Sequence, residues 1–529
     1  MNVGISSTAF VNGFRLARNA PDAVAGGYPT LTSSPDANGS AGQAFSYQIL
    51  AGNSPVAYGA TGLPAGLSVN AATGLISGTV NAVGDHNVTI SAANAAGTTS
   101  MTLSLHFLFS TWDKRFGGTE SDVARDVIAT ADGGYLLVGD SNSTAGGDRN
   151  QTSRGDRDYW AVKIDARGAK VWDKRFGGSE SDVARDVIAT ADGGYLLVGN
   201  SESGAEGDRS EATRGSSDFW AVKIDANGSK VWDKRFGGSE SDVARDVIAT
   251  VDGGYLLVGD SNSTAGGDKN QTSRGGHDYW VVKIAADGSK LWDKRFGGSG
   301  NDYCKSVVAT SDGGYLLAGH SDSNLGGDKS ETSRGGVDMW LVKIDANGSK
   351  VWDKRYGAST TDYCVNVLSA SDGGYLLTGH SNSGVNGDKS ETRIGFFDYW
   401  VVKIGASGDK IWDKRFGGTG KEHCSTAIST TGGYLLAGRS QSGANGDKTE
   451  ATRGDYDYWT VKIDANGTKV WDKRFGGSSV DYANSVIATA DGGYLLVGSS
   501  ESGAEGDRSE ATRGSSDFWA IKIDADGNK

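Results

Sequence analysis

Short apolar runs separated by turn residues recur along most of the chain. Residues 123–130 alternate apolar and polar positions and end at Ala-Asp-Gly-Gly, which is typical of a tight turn. Residues 135–139 are continuously apolar, residues 158–164 place Trp160, Val162 and Ile164 on one face, and residues 170–176 follow a Gly turn. No stretch has the helical period. The pattern predicts four short β-strands in a unit of about 60 residues.

The unit is repeated seven times. The string Trp-Asp-Lys-Arg begins at Trp112, Trp172, Trp232, Trp292, Trp352, Trp412 and Trp471. Seven four-stranded units predict an all-β protein whose larger part is a closed seven-bladed β-propeller. The array begins with a fourth strand, at 112–116, and ends after a third, at 517–523, so the first strand is expected to close the last blade. An open solenoid is the alternative.

The blade sequence resembles two groups of known repeats. The run Tyr-Leu-Leu-Val-Gly, then Tyr-Trp-Ala-Val-Lys-Ile-Asp, a Gly turn and Lys-Val-Trp is similar to pyrroloquinoline-quinone-type propellers. Asp-Gly-Gly-Tyr and Gly-Asp-Lys-Ser-Glu also recur in the 60-residue repeats of large bacterial secreted and surface proteins. The resemblance covers residues 112–529 and implies the fold. It does not imply an activity, because propellers carry unrelated functions.

The first part of the chain has a different pattern. Residues 29–108 contain short alternating runs with Gly and Asn turns, which predict a β-sandwich without a disulfide. Gly-Leu-Pro-Ala-Gly-Leu-Ser followed by Gly-Leu-Ile-Ser-Gly-Thr resembles the immunoglobulin-like (cadherin-like) modules of bacterial surface proteins, which implies a spacer. The predicted domains are therefore a tail at 1–28, an immunoglobulin-like domain at 29–108 and a propeller at 109–529.

The tail carries no signal-peptide pattern. Its residues 13–18, Gly-Phe-Arg-Leu-Ala-Arg, resemble the closing strand of the formylglycine-generating-enzyme and C-type-lectin-like fold. That resemblance implies that an upstream domain ends here. A simple extended linker is the alternative expectation.

Charge and cysteine content exclude several classes of function. Lys and Arg contribute 52 positive charges against 65 negative charges from Asp and Glu, so the net charge is 52 − 65 = −13 at pH 7. This acidic balance argues against nucleic-acid binding and a basic membrane-surface protein. No apolar run is long enough to span a membrane. Three Cys in 529 residues exclude a disulfide framework.

The sequence offers no recognisable catalytic set. The six His are scattered, and neither His-Glu-x-x-His nor Cys-x-x-Cys occurs, so neither a hydrolytic triad nor a zinc site is expected. The vicinal Cys pair of quinone enzymes is also missing. Cys304, Cys364 and Cys424 occupy one position in three successive units where the others carry Ala. A small buried site explains them more simply than a thiol cluster.

The long loops repeat a Gly-Asp-Lys/Arg motif. Two interpretations stay open for it. Oxygen-rich loops suit calcium, whereas a Lys or Arg near each acid suits a salt-bridged loop that caps itself. The aspartates are Asp148, Asp208, Asp268, Asp328, Asp388, Asp447 and Asp507. No other cofactor is expected.

Positions that differ between nearly identical units are the candidates for ligand binding. One is the residue pair before the conserved Asp of the third strand, and the second is the residue that ends the second strand. A third lies on the inner strand and runs Arg125, Arg185, Arg245, Lys305, Val365, Ser425 and Asn484. The first two sets are expected on one propeller face. The candidates are Phe396, Phe397, Tyr456, Asp455, His380, His320, Arg439, Asp156, Arg157 and His277. Neutral drift at exposed positions is the alternative.

These observations predict a binding protein rather than an enzyme. The expected function is extracellular or cell-surface adhesion, with the propeller face recognising a glycan or a protein and the immunoglobulin-like domain acting as a spacer. We expect a monomeric propeller within a larger protein or assembly. The alternatives are a structural element of a surface fibre or injection-type particle, and a degenerate propeller enzyme of hydrolase or quinoprotein origin.

Overall fold

A computed structural model describes residues 27–529 of the chain, so the resemblance at 13–18 and all but the end of the predicted tail lie outside the described residues. The described residues are all-β, as expected, and contain no helix that could span a membrane. The chain divides into two compact units, of which the second is Phe109–Lys529.

The first unit is a small β-sandwich. One sheet has the order β2-β9-β8-β5 and the other β3-β7-β6, with β1 paired to β4. Phe45, Ile76, Val88, Leu103 and Phe107 form the core between the sheets. The strands are β1 Thr30–Leu31, β2 Asp36–Ser40, β3 Ala44–Gln48, β4 Ala51–Gly52, β5 Ala57–Thr61, β6 Leu67–Val69, β7 Leu75–Thr79, β8 Gly84–Asn94 and β9 Gly97–Leu108.

The second unit consists of seven four-stranded antiparallel sheets. Sheet one contains β11 Asp122–Ala129, β12 Tyr135–Ser141, β13 Asp158–Ile164 and β14 Lys170–Phe176. Sheet two contains β15 Asp182–Ala189, β16 Tyr195–Ser201, β17 Asp218–Ile224 and β18 Lys230–Phe236. Sheet three contains β19 Asp242–Ala249, β20 Tyr255–Ser261, β21 Asp278–Ile284 and β22 Lys290–Phe296. Sheet four contains β23 Asp302–Ala309, β24 Tyr315–Ser321, β25 Asp338–Ile344 and β26 Lys350–Tyr356.

The remaining sheets follow the same order. Sheet five contains β27 Asp362–Ser369, β28 Tyr375–Ser381, β29 Asp398–Ile404 and β30 Lys410–Phe416. Sheet six contains β31 Glu422–Thr430, β32 Gly433–Ser440, β33 Asp457–Asp464 and β34 Lys469–Phe475. Sheet seven contains β35 Asp481–Ala488, β36 Tyr494–Ser500 and β37 Asp517–Ile523, with β10 Trp112–Phe116 as its fourth strand.

Continuously apolar second strands follow from packing on both faces. In β12, Leu137 faces a core shared with sheet seven, whereas Leu136 and Val138 face a core shared with sheet two. The third strand does the same, since Trp160 enters the first core and Tyr159 the second. Each sheet is therefore covered on both faces by its neighbours, which is the packing of a propeller.

Strand β10 closes the ring. It pairs antiparallel with β37, with Arg115 opposite Trp519. The indole nitrogen of Trp519 donates to Asp113 at 3.3 Å, as the other third-strand Trp residues do within their own sheets. Residues from sheets one and seven share one core. The predicted pairing of the first strand with the last sheet is confirmed, and the shared core favours a closed ring over the open solenoid.

The turn between the first two strands needs glycine. Gly133 has φ of +82°, a region that L side chains with a Cβ rarely adopt. The same geometry recurs in the later units, which explains the repeated Asp-Gly-Gly sequence.

Candidate functional site

Three variable positions of each sheet meet at one face of the ring. In sheet one, Val123 on the first strand pairs with Asp140 on the second, and Asp140 pairs with Tyr159 on the third. Arg157, just before the third strand, accepts a hydrogen bond from the backbone of Asp182 in sheet two at 2.7 Å. The seven copies of these positions therefore follow one another around the ring. The two predicted sets do share a face.

Sheets three to seven fill these positions with aromatic rings that contact one another. Neighbouring ring centroids are 4.5–6.5 Å apart from His277 to Tyr482. We call this set the aromatic arc. Its members are His277, Tyr303, His320, Tyr363, His380, Phe396, Phe397, His423, Tyr456 and Tyr482.

Phe396 and Phe397 have different surroundings although they are adjacent. Phe397 is half-buried, with its ring 5.5 Å from His380 and 5.3 Å from His423. Phe396 is 54% exposed, and its backbone nitrogen donates to Gly420 of the next sheet at 2.7 Å. Phe397 thus anchors the arc, and about half of Phe396 remains exposed to solvent.

The inner histidines of the arc are uncharged at neutral pH. Burial and the charge of Lys305 lower the pKa of His320 to about 3. Burial, followed by the charges of His423 and Arg439, holds the pKa of His380 well below its usual range. Burial and Arg439 also lower the pKa of His423 to about 4. His320 is 9% exposed, so it supports the surface rather than projecting from it.

The opposite part of the face is a set of ion pairs. Buried Asp140 accepts from Arg125 at 2.8 Å and from Arg157 at 3.2 Å. The structure does not bring Arg157 or the exposed Asp156 into the aromatic arc.

Asp260 in sheet three makes the equivalent pairs, with Arg245 at 2.9 Å and His277 at 3.2 Å. Burial raises the pKa of Asp260, but His277, Arg245 and Lys305 outweigh it and lower the pKa to about 2. This carboxylate is ionised at neutral pH.

The third variable set lines the ring's central channel. Each inner strand has a β-bulge at this position, for example between Ala124 and Asp126, which directs both Arg125 and Asp126 to the channel. The carboxylates join neighbouring sheets: Asp186 accepts from the backbone of Val247 at 2.7 Å. A cavity of about 170 Å³ remains between the seven pairs of residues.

The repeated loop aspartates are held by arginines. Asp208 accepts from Arg154 at 2.6 Å, from Arg175 at 3.3 Å and from the backbone of Gly177 at 3.2 Å. Each of the seven carboxylates has an arginine nitrogen within 3.3 Å. No cluster of three metal-ligating side chains occurs in residues 27–529. Because arginine nitrogens contact the carboxylate oxygens that a calcium ion would need, the geometry favours the salt-bridged loop over the calcium site.

The three cysteines are buried in the cores between sheets four to six and the sheets before them. Burial raises the pKa of Cys364 and of Cys424 to about 12. The structure places them where other sheets carry Ala124 or Ala184, in agreement with a small packing site.

The sequence interpretation missed four members of the arc. Tyr303, Tyr363, His423 and Tyr482 occupy the inner-strand position that is Val123 in the first unit. The signal was present, because this position also differs between units. It lies two residues before the channel position, and only the register of the sheet shows that it belongs to the face.

Comparison with known proteins identifies the first unit. Residues 28–107 match the family model "Putative Ig domain" (He_PIG). This unit is an Ig-like domain. A search of curated proteins finds "Regulatory protein FlaEY" of Caulobacter vibrioides, 25% identical over 239 residues. That match covers 41% of this chain and 24% of FlaEY, so the chain spans about a quarter of that relative's length.

The solved structures found by comparison are distant. A quinonprotein alcohol dehydrogenase-like protein of Bacteroides thetaiotaomicron is 10% identical, with a TM-score of 0.28, over 73% of this chain and 96% of that one. The rhamnogalacturonan lyase YesW is 13% identical, with a TM-score of 0.39, over 95% and 91%. At these scores the likeness carries no argument about activity.

Proposed function

We propose that the second unit is an extracellular or cell-surface recognition module that binds a glycan or a protein without catalysis. The aromatic arc is the observation that carries this proposal. In a propeller whose sheets are nearly identical in sequence, ten aromatic side chains gather on one part of one face. Large aromatic side chains bury much area at low entropic cost, and they stack on sugars or anchor protein contacts.

The first unit then acts as a spacer that holds the propeller away from its attachment. Asp455 and Arg439 beside the arc, and the hydroxyl of its member Tyr456, provide polar groups. The side-chain amide of Gln441 donates to Asp455 at 2.9 Å, and the Tyr456 hydroxyl donates to the Gln441 side-chain carbonyl at 3.3 Å. An apolar surface with a few placed polar groups is the usual composition of a binding site. A propeller with a purely structural role would not need it.

The test is the double change Phe396→Gly, Phe397→Val, which copies residues 336 and 337 of the fourth unit. We expect loss of binding in a glycan array and in a screen of surface proteins, with an unchanged melting temperature to within a few degrees. Arg157→Ser, which copies Ser217, changes the other part of the face and should leave binding intact. Unaltered affinity of the double variant would overturn the assignment.

A further inference from the structure

The cations of the aromatic arc lack the acidic partners found elsewhere on the same face. In sheets one and three, the channel arginine pairs with an aspartate that ends the second strand, as Arg125 does with Asp140 at 2.8 Å. Sheet four keeps the cation as Lys305 but has His320 in place of the aspartate. Sheet six has Arg439 at that same position. Sheets four and six therefore carry no carboxylate at this position, and neither does sheet two, where the Asn200 amide oxygen lies 3.4 Å from Arg185.

Three cationic side chains that border the arc lie close to aromatic rings instead of carboxylates. The Lys305 ammonium lies 5.2 Å from the Tyr303 ring centroid, and the Lys421 ammonium lies 5.4 Å from that of Phe396. Arg439 lies 4.3 Å from the Tyr482 ring centroid. Within residues 27–529, none of these three cations has a carboxylate within salt-bridge distance.

Two of these cations lie in unfavourable surroundings. Burial and the neighbouring Arg245 lower the pKa of Lys305 to about 8, although the more distant carboxylate of Asp260 opposes the shift. The Arg439 Nε–H is buried without a hydrogen-bond partner among the described residues. Both side chains are half-buried. A partly desolvated charge without an acidic partner is unfavourable, and cation–π contact compensates only part of the loss. An anionic group placed beside the arc would recover the rest.

Positive charge without salt bridges gathers beside the arc, although the chain is acidic. The formal net charge is −13, whereas Lys305, Lys421 and Arg439 border the arc, and its nearby carboxylates include Asp455, bound by Gln441, and Asp260, paired with Arg245 and His277. A positive surface favours an anionic ligand over a neutral one. The half-exposed Phe396 ring, with Lys421 5.4 Å from its centroid, offers stacking and a counter-charge together.

We propose, on the basis of the function proposed above, that the ligand of the aromatic arc is an acidic carbohydrate, whose sugar rings bear carboxylate or sulfate groups. The apolar face of a sugar stacks on Phe396, and the anionic groups pair with Lys421, Arg439 and Lys305. An extended track suits a linear oligosaccharide better than a protein, because protein hot spots concentrate in one central desolvated pocket.

The test exchanges each cation for a residue from the protein's own repeats. Lys421→Ser copies Ser121, Arg439→Ser copies Ser499 and Lys305→Val copies Val365. Lys234→Ser removes a positive charge from the outer strand β18 and is the charge-matched control. Calorimetry of the full chain would compare a polyuronate oligosaccharide, a sulfated oligosaccharide, a neutral analogue of equal length and polyglutamate.

We expect the wild type to bind one of the acidic oligosaccharides at least ten-fold more tightly than the neutral analogue, with affinity falling as salt rises. Each arc variant should lose about ten-fold on the acidic ligand, and the control should not. A preference for carboxylated or for sulfated sugar identifies the anionic group.

Equal affinity for neutral and acidic sugars, or an acidic preference that survives in the triple variant, would overturn the inference. Tighter binding of polyglutamate than of either acidic sugar would also overturn it in favour of an acidic protein. These outcomes are distinct from failure of the proposed function, in which no ligand's binding depends on Phe396 and Phe397.

Discussion

Sheets one to three and sheets four to six share a frame but present different chemistry on the same face. In both parts the second strand pairs with the first in the same register, so Val123 faces Asp140 just as Tyr363 faces His380. In the first part, sheets one and three pair the channel arginine with a carboxylate, as Arg125 does with Asp140, whereas Arg185 of sheet two has the Asn200 amide oxygen at 3.4 Å. The second part has His320, His380 and Arg439 at the position of the aspartate. On this face Lys305, Lys421 and Arg439 contact aromatic rings instead of carboxylates.

This difference shows that the frame, meaning the strands and the buried cores between sheets, and the exposed face can change independently. Third-strand tryptophans are fully buried in both parts and donate to an outer-strand aspartate in both, at 3.1 Å for Trp280 and for Trp400. The variable positions lie at strand ends, outside these cores. A repeat protein can therefore alter what one sector binds without changing what holds its sheets together.

Deleting residues 109–118 should have the largest effect on stability, because it removes a strand from sheet seven, which lies between the two parts. The deletion removes β10 and leaves β37 with an unpaired edge. Exposed edges of this kind aggregate. We expect loss of cooperative thermal unfolding and aggregation in size-exclusion chromatography. A deleted protein that is monomeric and melts as the wild type does would show that closure contributes little.

Because the two parts share this frame, equivalent core substitutions should lower the free energy of unfolding equally in both. Trp280→Ala in sheet three and Trp400→Ala in sheet five each remove a fully buried ring and leave an aspartate without its indole donor. Each should lower the free energy of unfolding by about 3–5 kcal/mol, measured by urea denaturation. Costs that differ by more than about 2 kcal/mol would mean that the frames are not equivalent.

The sequence was sufficient for the frame because its signal is periodic. The Trp spacing and the strand pattern predicted all seven sheets and the closing strand before any contact was known. The site was harder, because it depends on contacts between units about 60 residues apart. The second strand ends at Ser141, one residue beyond the variable position that the sequence predicted as its end, so His320 and His380 lie inside strands and support the surface.

The β-bulge of the inner strand explains why the sequence interpretation missed the inner-strand members of the aromatic arc. It sends Arg125 into the channel while Val123 stays at the face, and neither direction can be derived from residue spacing alone.

The ion pairs of the first part make Asp140 important for stability. Asp140→Ala leaves Arg125 and Arg157 without a carboxylate and should cost about 2 kcal/mol in urea denaturation. Asp140→Asn copies Asn200 of sheet two, keeps an acceptor, and should cost less. If both variants were as stable as the wild type, solvent would be satisfying these arginines, and the contrast between the two parts would not involve stability.

The histidines of the second part predict a pH dependence. His320 has a folded-state pKa of about 3, whereas an unfolded histidine titrates near 6.5. Between these values the unfolded chain binds a proton that the folded chain does not, so stability falls as pH decreases. From pH 7 to pH 5 the wild type should lose about 2 kcal/mol more than His320→Asn. Parallel pH profiles for the two proteins would contradict the assigned burial.

The smallest expected effect lies beneath the arc, where cysteine replaces the alanine of the first part. Cys364 is fully buried on the first strand of sheet five, next to Tyr363, and its thiol lies 3.7 Å from the Asn366 carbonyl. Cys364→Ala copies Ala124 and removes one sulfur atom, so it should cost about 1 kcal/mol or less.

Burial raises the pKa of this thiol to about 12, and the thiolate is the reactive form, so the native protein should resist thiol reagents until it unfolds. Urea denaturation and the kinetics of labelling with a thiol-specific reagent would check both statements. Rapid labelling of the folded protein would show that the core beneath the arc opens locally. The two parts of the ring would then differ in their frames as well as in their faces.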